Sequence, residues 1–395
     1  MHFKFKGNTP IIPLITWVVI ACSTLSVQAQ TDSPQQETED NQQSNDPGEE
    51  QGGSESKWGK FLPLPIFITE PAIGEGLGGA LIYFHHEKQD DGLKVTTARE
   101  ISNSSRRSKP PPTATGIFGA YTNDDTAVVG IGHSNSFMDD RYRVMGAAAE
   151  ARINSQFYVA DTPFAFTLDG ELIYANLKRR LGDSSTFLGI TMSFADANVN
   201  FKTNLQEFDG VSVLDFDFVD VGLAASAIYD TRDNTMMPGS GYVVDLTAWR
   251  YDQSLGGDFD YSTTRLKGNS YRKLGQNYTL GLRLDVSTAS GDVPFYNGPY
   301  VRLRGIPALR YQGETAGAVE IEGRRRLSDR WMVSVFAGSG FTDIGEDRTE
   351  TSDTINSIGV GLRFLAVKEQ DAWVGIDIAE GPEDVAWYIQ MGNAW

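Results

Sequence analysis

The chain has 395 residues, with 52 Asp and Glu against 34 Lys and Arg, and a net charge of -18 at pH 7. Nucleic acid is excluded as a natural partner for so acidic a chain, because binding phosphates needs clustered cations. Its only cysteine is Cys22, so the remainder of the chain can form neither disulfides nor Cys-ligated metal sites.

Residues 1–29 have the features of a secretory signal peptide. A basic start is followed by an apolar run over residues 11–21 and by a small-residue cleavage site that ends at Ala29. The run is about half of the roughly 20 residues that a membrane-spanning helix needs, and no later run is longer, so we predict no transmembrane helix. We expect cleavage after Ala29, with lipidation at Cys22 as the alternative.

Residues 30–57 are predicted to be a disordered acidic tether. Residues 30–56 contain eight carboxylates, no Lys or Arg, and almost no apolar side chains. Such a segment cannot bury enough surface to offset its conformational entropy. It is also too short to contain a folded periplasmic domain.

Residues 58–395 are predicted to form an all-β domain, a transmembrane antiparallel β-barrel of the outer-membrane type. Segments of about 10 residues alternate in polarity and are separated by Gly, Asn, Asp and Pro, which is typical of outer-membrane strands. In 278–286, apolar side chains face one way, whereas Arg283 and Asp285 face the other. Arg363 and Asp377 are expected to point into the lumen in the same way. The alternative, a soluble β-sandwich, would need apolar side chains on the inward faces.

Sixteen strands are predicted, with fourteen as the alternative because one long strand could replace two between Arg141 and Leu181. The predicted strands begin near these residues: Gly74, Thr113, Asp125, Tyr142, Phe157, Phe164, Ser185, Phe218, Gly241, Tyr261, Tyr278, Gly317, Trp331, Ile355, Ala372 and Val385.

The C-terminal segment resembles the last strand of such a barrel. Alternation places four large side chains on one face, which we expect to contact lipid: Trp387, Ile389, Met391 and Trp395. The opposite face would carry Tyr388, Gln390, Gly392 and Ala394. A last strand that ends on an aromatic residue is interpreted as a signal for sorting and barrel closure, because an unpaired strand edge in hydrocarbon leaves backbone groups unsatisfied.

Catalytic chemistry has little support in the sequence, and we predict no enzyme activity, no cofactor and no metal site. His133 and Ser134 cannot form a dyad with each other, because adjacent residues on a strand point to opposite faces. His85 and His86 diverge for the same reason. The acidic residues between Asp343 and Asp353 match no EF-hand spacing. The alternative is a barrel-embedded hydrolase that takes a Ser nucleophile from a neighbouring strand.

The segment Val301-Arg-Leu-Arg304-Gly305-Ile306-Pro307 resembles the Arg-Gly-aromatic loop motif of the BamA/TamA surface-antigen superfamily of outer-membrane barrels. Further blocks follow that family's order. Tyr229-Asp230-Thr-Arg232-Asp233-Asn234, together with Pro238 to Tyr242 and including Gly241, resembles its strand-turn-strand signature. The segments 319–322, 331–340, 359–363 and 375–379 resemble its last strands. The similarity extends over about residues 62–395.

The resemblance implies that the loop arginine enters the lumen and pairs with acidic residues near the C-terminus. Matched residue by residue, Arg304 is that arginine, Glu322 its first partner and Asp377 a second lumenal carboxylate. Losing one partner of such a buried pair would leave an uncompensated charge. Two positions depart from the family pattern. Gly338 stands where an acidic residue is common, and Ile306 stands where an aromatic residue is usual.

The resemblance implies insertion or transport of outer-membrane proteins through the seam between the first and last strands. It also implies the outer membrane of a Gram-negative bacterium as the location. Partners would be outer-membrane lipid, lipopolysaccharide, client outer-membrane proteins and a periplasmic delivery partner, since the chain is expected to lack the family's POTRA domains. The alternative from another class is a passive pore or structural barrel without clients.

Overall fold

A computed structural model describes residues 60–70, 72–85, 113–159, 162–201, 215–343, 355–367 and 372–395. The predictions for the signal peptide, for the acidic tether and for His86 lie outside these residues. Among the described residues, no helix is long and apolar enough to cross a membrane.

Sixteen strands form a single antiparallel sheet in which each strand pairs with its neighbour in the sequence. The strands are β1 (Lys60–Glu70), β2 (Gly74–Phe84), β3 (Ala114–Thr122), β4 (Ala127–Phe137), β5 (Tyr142–Val159), β6 (Thr162–Arg180), β7 (Thr186–Phe201), β8 (Asp215–Asp230), β9 (Gly241–Tyr251), β10 (Tyr261–Lys273), β11 (Tyr278–Gly291), β12 (Thr315–Arg326), β13 (Trp331–Asp343), β14 (Ile355–Val367), β15 (Ala372–Glu380) and β16 (Val385–Met391). A short 3-10 helix, Gln253–Leu255, follows β9.

The predicted sixteen-stranded antiparallel barrel is confirmed, but two of the predicted strand positions are wrong. β1 begins at Lys60, ahead of the first predicted strand near Gly74, and its Pro63 and Pro65 hid the strand pattern. Phe157 does not start a strand of its own, since it lies within the 18-residue β5. The two errors cancel in the count.

The outer face of the barrel carries most of the exposed large apolar side chains. Examples are Leu77, Ile117, Val129, Ile190, Ile321, Val335, Ile358 and Ile376, each at least half exposed or nearly so. In the ladders, side chains that face each other across two strands lie on the same face, so the registers assign a whole row once one member is known. Leu282 pairs with Ile321, which places both on the outer face and Arg283 and Asp285 on the inner face. This pattern suits a barrel in a bilayer.

The lumen contains packed side chains. A cluster at one end joins residues of β5–β10 to the chain between β11 and β12, with Phe166, Leu168, Phe218, Tyr261, Tyr296 and Leu309 fully or almost fully buried. A smaller cluster of Met237, Met332, Leu365 and Trp373 lies near the other end. We call the end where β1 begins and β16 ends the terminal end, and the other the loop end.

β1 and β16 lie side by side where the sheet meets itself, and we call this contact the seam. Every neighbouring pair from β1 to β16 is joined by a hydrogen-bonded ladder, but no ladder joins β1 to β16 in the part of the chain that the structure describes. The strands at this point are short, with seven residues in β16 and nine in β15, against 19 in β6.

Candidate functional site

The loop between β11 and β12, residues 292–314, folds back into the lumen, and we call it the lumenal loop. Its buried side chains include Tyr296, Tyr300, Val301, Leu303, Ile306 and Leu309. The loop turns on itself through a backbone bond from Val301 N to Tyr311 O of 3.0 Å and an isolated bridge between Tyr300 and Gln312. Apolar side chains thus hold the loop inside the barrel.

Arg304, near the tip of the lumenal loop, contacts three carboxylates on the barrel wall. Its Nε donates to Glu320 Oε1 at 2.6 Å, and its Nη1 lies 2.8 Å from both Glu322 Oε2 and Asp377 Oδ2. All three acids are at most 1% exposed, and Arg304 is 6% exposed. The structure therefore brings together the three residues that the family resemblance implied: Arg304, Glu322 and Asp377.

Three further arginines extend this cluster, which we call the Arg304 network. Arg363 Nη2 donates to Asp377 Oδ2 at 2.9 Å and to Gln390 Oε1 at 2.9 Å. Arg324 Nε lies 3.1 Å from Glu322, and Arg283 Nη1 lies 3.3 Å from Glu320. Each carboxylate therefore serves two guanidinium groups, which compensates buried charge across β11, β12, β14 and β15.

Glu320 also contacts Arg304, and the sequence did not single it out. It lies two residues before Glu322 on β12, so both side chains point into the lumen. The two-residue spacing of the glutamates within 319–322 therefore indicated that both could contact the loop arginine. Glu320 contacts Arg304 through two nitrogen atoms, whereas Glu322 contacts it through one.

Gly338 has a packing role at the position where the family often has an acid. A Cβ atom built on Gly338 would lie 2.6 Å from Leu303 Cδ2. The missing side chain thus leaves room for the lumenal loop to pack on β13. Two residues earlier, the ring of Phe336 lies under Arg304, with the guanidinium carbon 3.3 Å from the ring centroid, in cation–π contact. Ile306 packs in the same apolar cluster as Leu303.

Gly305 fixes the loop against the hairpin of β15 and β16. Its φ is +86°, a conformation that side chains disfavour, and its N donates to Tyr388 Oη at 2.9 Å. A Cβ here would lie 3.2 Å from the backbone of Glu380 and Gly381. The backbone of the loop therefore touches the turn that precedes the last strand.

The lumenal loop also contacts the other side of the seam. Ala308 N donates to Glu70 Oε1, at the end of β1, at 3.0 Å. Arg310 pairs with Glu383, in the turn between β15 and β16, and Tyr311 Oη donates to the same carboxylate at 3.1 Å. One loop therefore holds both strands whose edges meet at the seam.

The turn between β8 and β9 contains the other predicted motif. Arg232 pairs with Asp230, with Nη2 2.8 Å from Oδ2. Asp233 Oδ1 accepts backbone bonds from Gly239 at 2.9 Å and Ser240 at 3.1 Å. Burial raises the pKa of Asp233, but these backbone bonds outweigh burial and hold its pKa below the usual value. Gly241, at φ +95°, starts β9 where a side chain would meet the backbone of Thr231.

The C-terminal residues do not all share the predicted lipid face. Trp387 and Ile389 lie on the outer face, opposite Ile378 and Ile376 of β15. Met391 ends β16. Trp395 instead enters the lumen, because Gly392 at φ +72° turns the chain inward and Asn393 N donates to Met236 O at 2.7 Å.

Trp395 packs inside the barrel near the Arg304 network. Its ring stacks on Tyr271 with centroids 5.8 Å apart. A Cβ on Gly281 would lie 2.9 Å from the Trp395 ring, so this glycine makes room for it. The guanidinium carbon of Arg304 is 5.9 Å from the same ring. The placement of Trp395 on the lipid face is therefore corrected, since strand alternation stops at Met391.

His85 and His133 lie on the outer face of the barrel. His133 pairs with Thr115 across β3 and β4, and its Nδ1 is 2.8 Å from Thr115 Oγ1. His85 Nε2 contacts the same hydroxyl at 2.8 Å. Ser134 points to the inner face, away from His133. Within the described ranges, no group of three or more His, Cys, Asp or Glu residues is placed to hold a metal ion.

A comparison with protein families relates part of this chain to known proteins. Residues 120–305 match the Omp85 superfamily domain, a range that starts in β3 and ends at Gly305 in the lumenal loop. A search of curated proteins found no significant match. The family match supports the predicted resemblance to the BamA/TamA superfamily.

Solved structures share the fold at low sequence identity. BamA from Haemophilus ducreyi lacking POTRA domains 1–3 aligns with a TM-score of 0.57 and 11% identity, over 84% of this chain and 69% of that one. CdiB from Escherichia coli aligns with a TM-score of 0.57 and 11% identity, over 83% and 61%. CdiB from Acinetobacter baumannii aligns with a TM-score of 0.52 and 8% identity, over 84% and 59%. The chain thus spans about three fifths of the CdiB chains.

Proposed function

We propose that this chain, which carries an Omp85 superfamily domain, inserts or translocates outer-membrane proteins through the seam between β1 and β16. The observation that carries the proposal is that the described residues of β1 and β16 form no ladder at the seam. Every other neighbouring pair of strands is held by backbone hydrogen bonds, so this contact is the one that separates with the fewest bonds broken. An opening there would face the bilayer directly.

The sequence of β1 weakens the seam further. Pro63 and Pro65 pair with Leu81 and Gly79 in the ladder with β2. Because proline has no N–H to donate, it fits a ladder only where that position faces away from the partner strand. The backbone nitrogens of both prolines therefore point toward the seam. A ladder between β1 and β16 would lack two N–H donors at these positions.

The lumenal loop is suited to control this seam. It contacts Glu70 on β1 and Tyr388 on β16, while Arg304 ties it to the wall through the Arg304 network. Separating a buried guanidinium from its three carboxylate partners is costly in free energy, because it leaves buried charge uncompensated. In this proposal, the paired state holds the loop and thereby both edges of the seam.

The location and partners belong to the same proposal. A barrel of this type would work in the outer membrane of a Gram-negative bacterium, reached by export through the predicted signal peptide. Outer-membrane lipid and lipopolysaccharide would surround it, and client proteins would arrive by a periplasmic delivery partner. No catalytic step is required of the barrel.

The proposal is tested by quantitative proteomics of the outer membrane after depletion of this protein. Cells are complemented with the wild type, with Arg304→Ala, or with Arg302→Ala as the matched control. Arg302 lies in the same loop, but its described partners are Ser287 Oγ and Tyr300. We expect several other barrels or surface proteins to fall together and to recover with the wild type and Arg302→Ala, but not with Arg304→Ala.

An unchanged outer membrane after depletion would contradict the proposal. The passive-pore alternative would then be tested by single-channel conductance in planar bilayers. A pore without clients predicts a steady conductance that rises with Arg304→Ala. The hydrolase alternative predicts that lipid or peptide cleavage is present and is lost with His133→Ala.

A further inference from the structure

The lumenal wall next to the seam differs in chemistry from the wall that carries the Arg304 network. On β1, Leu64, Ile66 and Ile68 face the lumen, as their pairing with Ala80, Gly78 and Gly76 of β2 requires. The inward positions of β2 and β3 continue this surface with Ile82 and Phe118. We call this surface, formed by the inward faces of β1–β3, the apolar wall.

Beyond Glu70, at the loop end of β1, none of the described side chains of the apolar wall is charged. The wall formed by β10–β12 carries Arg265, Arg283, Asp285 and Glu320. The three β1 side chains are half-buried, and none of them belongs to the packed clusters of the described lumen. An apolar surface is thus available inside the barrel.

This surface is continuous with the lipid-facing exterior. Phe61 and Phe67 stand on the outer face of β1 and are 65% and 41% exposed. β1 is therefore apolar on both faces, and its edge lies at the seam, where the described residues of β1 and β16 form no ladder. An acyl chain that passes this edge exchanges one apolar surrounding for another, and it covers apolar wall that would otherwise contact water.

We propose that the apolar wall binds the acyl chain of a membrane lipid, which reaches it from the bilayer through the seam. An acyl chain fits the site because it needs no hydrogen bonds and no counter-charge. A client β-strand fits the part of β1 around Pro63 and Pro65 less well. Strand addition relies on backbone N–H donors, and the two prolines have none. The inference rests on the proposed seam, but it concerns lipid and needs no client protein.

Site-specific photo-crosslinking tests this proposal. p-Benzoylphenylalanine replaces Ile66 on the apolar wall, Phe67 on the outer face, or Asn269 on the lumenal wall formed by β10–β12. The full-length protein is reconstituted in vesicles of phosphatidylethanolamine and phosphatidylglycerol with tritiated acyl chains, then irradiated. Only heat-modifiable, folded protein is scored. We expect position 66 to take up label to a similar extent as position 67, and about tenfold more than position 269.

A pair of variants at Leu64 tests whether labelling at position 66 depends on an uncharged wall. Leu64→Asp places a charge in the apolar wall, whereas Leu64→Asn changes the polarity without a full charge. The charge should lower labelling at position 66 by about tenfold and leave position 67 unchanged, because a carboxylate in hydrocarbon is strongly disfavoured. Asn should have the smaller effect.

Three outcomes would overturn the inference. Background label at position 66 with strong label at position 67 would mean that lipid does not reach the lumen. Equal label at positions 66 and 269 would mean that the apolar wall is not selective. Adducts to protein rather than lipid, when position 66 is irradiated in cells, would assign the surface to a client strand. Since the vesicles contain no client, loss of the proposed function in the depletion experiment would leave the lipid result readable.

Discussion

Arg304 Nη1 lies 2.8 Å from Asp377 Oδ2, although the two residues are 73 positions apart in the sequence. The contact joins the lumenal loop to β15, the strand before the seam. Because both groups are almost fully buried, the pair is a structural link between the loop and the last hairpin.

Arg304→Ala should destabilise the folded barrel by about 3 to 5 kcal/mol, because it leaves three buried carboxylates with one cation fewer. The measurement is the free energy of unfolding in urea, followed by tryptophan fluorescence in lipid vesicles. Arg302→Ala, in the same loop, should have a much smaller effect. An equal loss of unfolding free energy in the two variants would show that the aliphatic part of the arginine side chain stabilises the loop and that the ion pairs do not.

Glu320→Gln should loosen the lumenal loop as much as Asp377→Asn does, because Glu320 serves both Arg304 and Arg283. Limited proteolysis of the vesicle-bound protein measures this as faster cleavage within residues 292–314. Glu314→Gln, at the exposed base of the loop, is the control and should leave the cleavage rate near that of the wild type. Slow cleavage in Glu320→Gln would assign the main carboxylate role to Glu322 alone.

Gly305→Ala should cost about 1 to 3 kcal/mol, since a side chain at φ +86° is strained and would press on the backbone of Glu380 and Gly381. Thermal unfolding in detergent measures the change. Gly298→Ala is the matched control in the same loop, because its φ is not positive and the atom nearest its Cβ position is the flexible end of the Gln312 side chain. A Gly305→Ala variant as stable as Gly298→Ala would contradict the close approach.

The two C-terminal tryptophans should respond differently to quenchers in the bilayer. Trp387 is 40% exposed on the outer face, whereas Trp395 stacks on Tyr271 in the lumen. In vesicles of brominated lipid, Trp387→Phe should reduce the quenched part of the fluorescence, and Trp395→Phe should leave it unchanged. Loss of quenching in Trp395→Phe would place that ring in contact with lipid.

Acid should weaken the turn between β8 and β9 through Asp233. Its pKa in the folded protein is below the ordinary value of about 3.9, so its ionised form stabilises the fold above that pH. The contribution is lost as the pH falls through the lower folded value. The midpoint temperature of thermal unfolding, measured from about pH 6 to about pH 2, should therefore fall more steeply in the wild type than in Asp233→Asn.

Asp329→Asn, in another turn at the terminal end, is the control for general acid effects. This variant should follow the pH dependence of the wild type. If Asp233→Asn also follows it, the backbone bonds to Asp233 do not favour its ionised form.

The barrel was predictable from the sequence because alternation with period two is a local property, and it recurs in almost every strand. β1 was harder to predict because Pro63 and Pro65 are unusual in strands, and only a free edge accommodates them. The prolines that hid the strand are thus explained by the seam.

The site was predicted in part. Family resemblance named Arg304, Glu322 and Asp377, and alternation placed their side chains inside. It did not rank Glu320, because which of two inward carboxylates meets the arginine depends on the path of the loop. Trp395 was misplaced because Gly392 changes the chain direction, and a period of two has no information beyond the end of a strand.

The most direct test of the central claim is to join the two edges of the seam. Trp387 Nε1 lies 2.9 Å from Glu75 Oε1, so Glu75→Cys with Trp387→Cys, in a Cys22→Ser background, can be linked across β1 by a bifunctional maleimide. The control links Ile117→Cys with Ile131→Cys, which already face each other in a ladder. The readout is the recovery of newly made outer-membrane proteins in depleted cells. We expect the seam link to stop recovery and the control link to permit it; full recovery with the seam linked would contradict a function that depends on opening between β1 and β16.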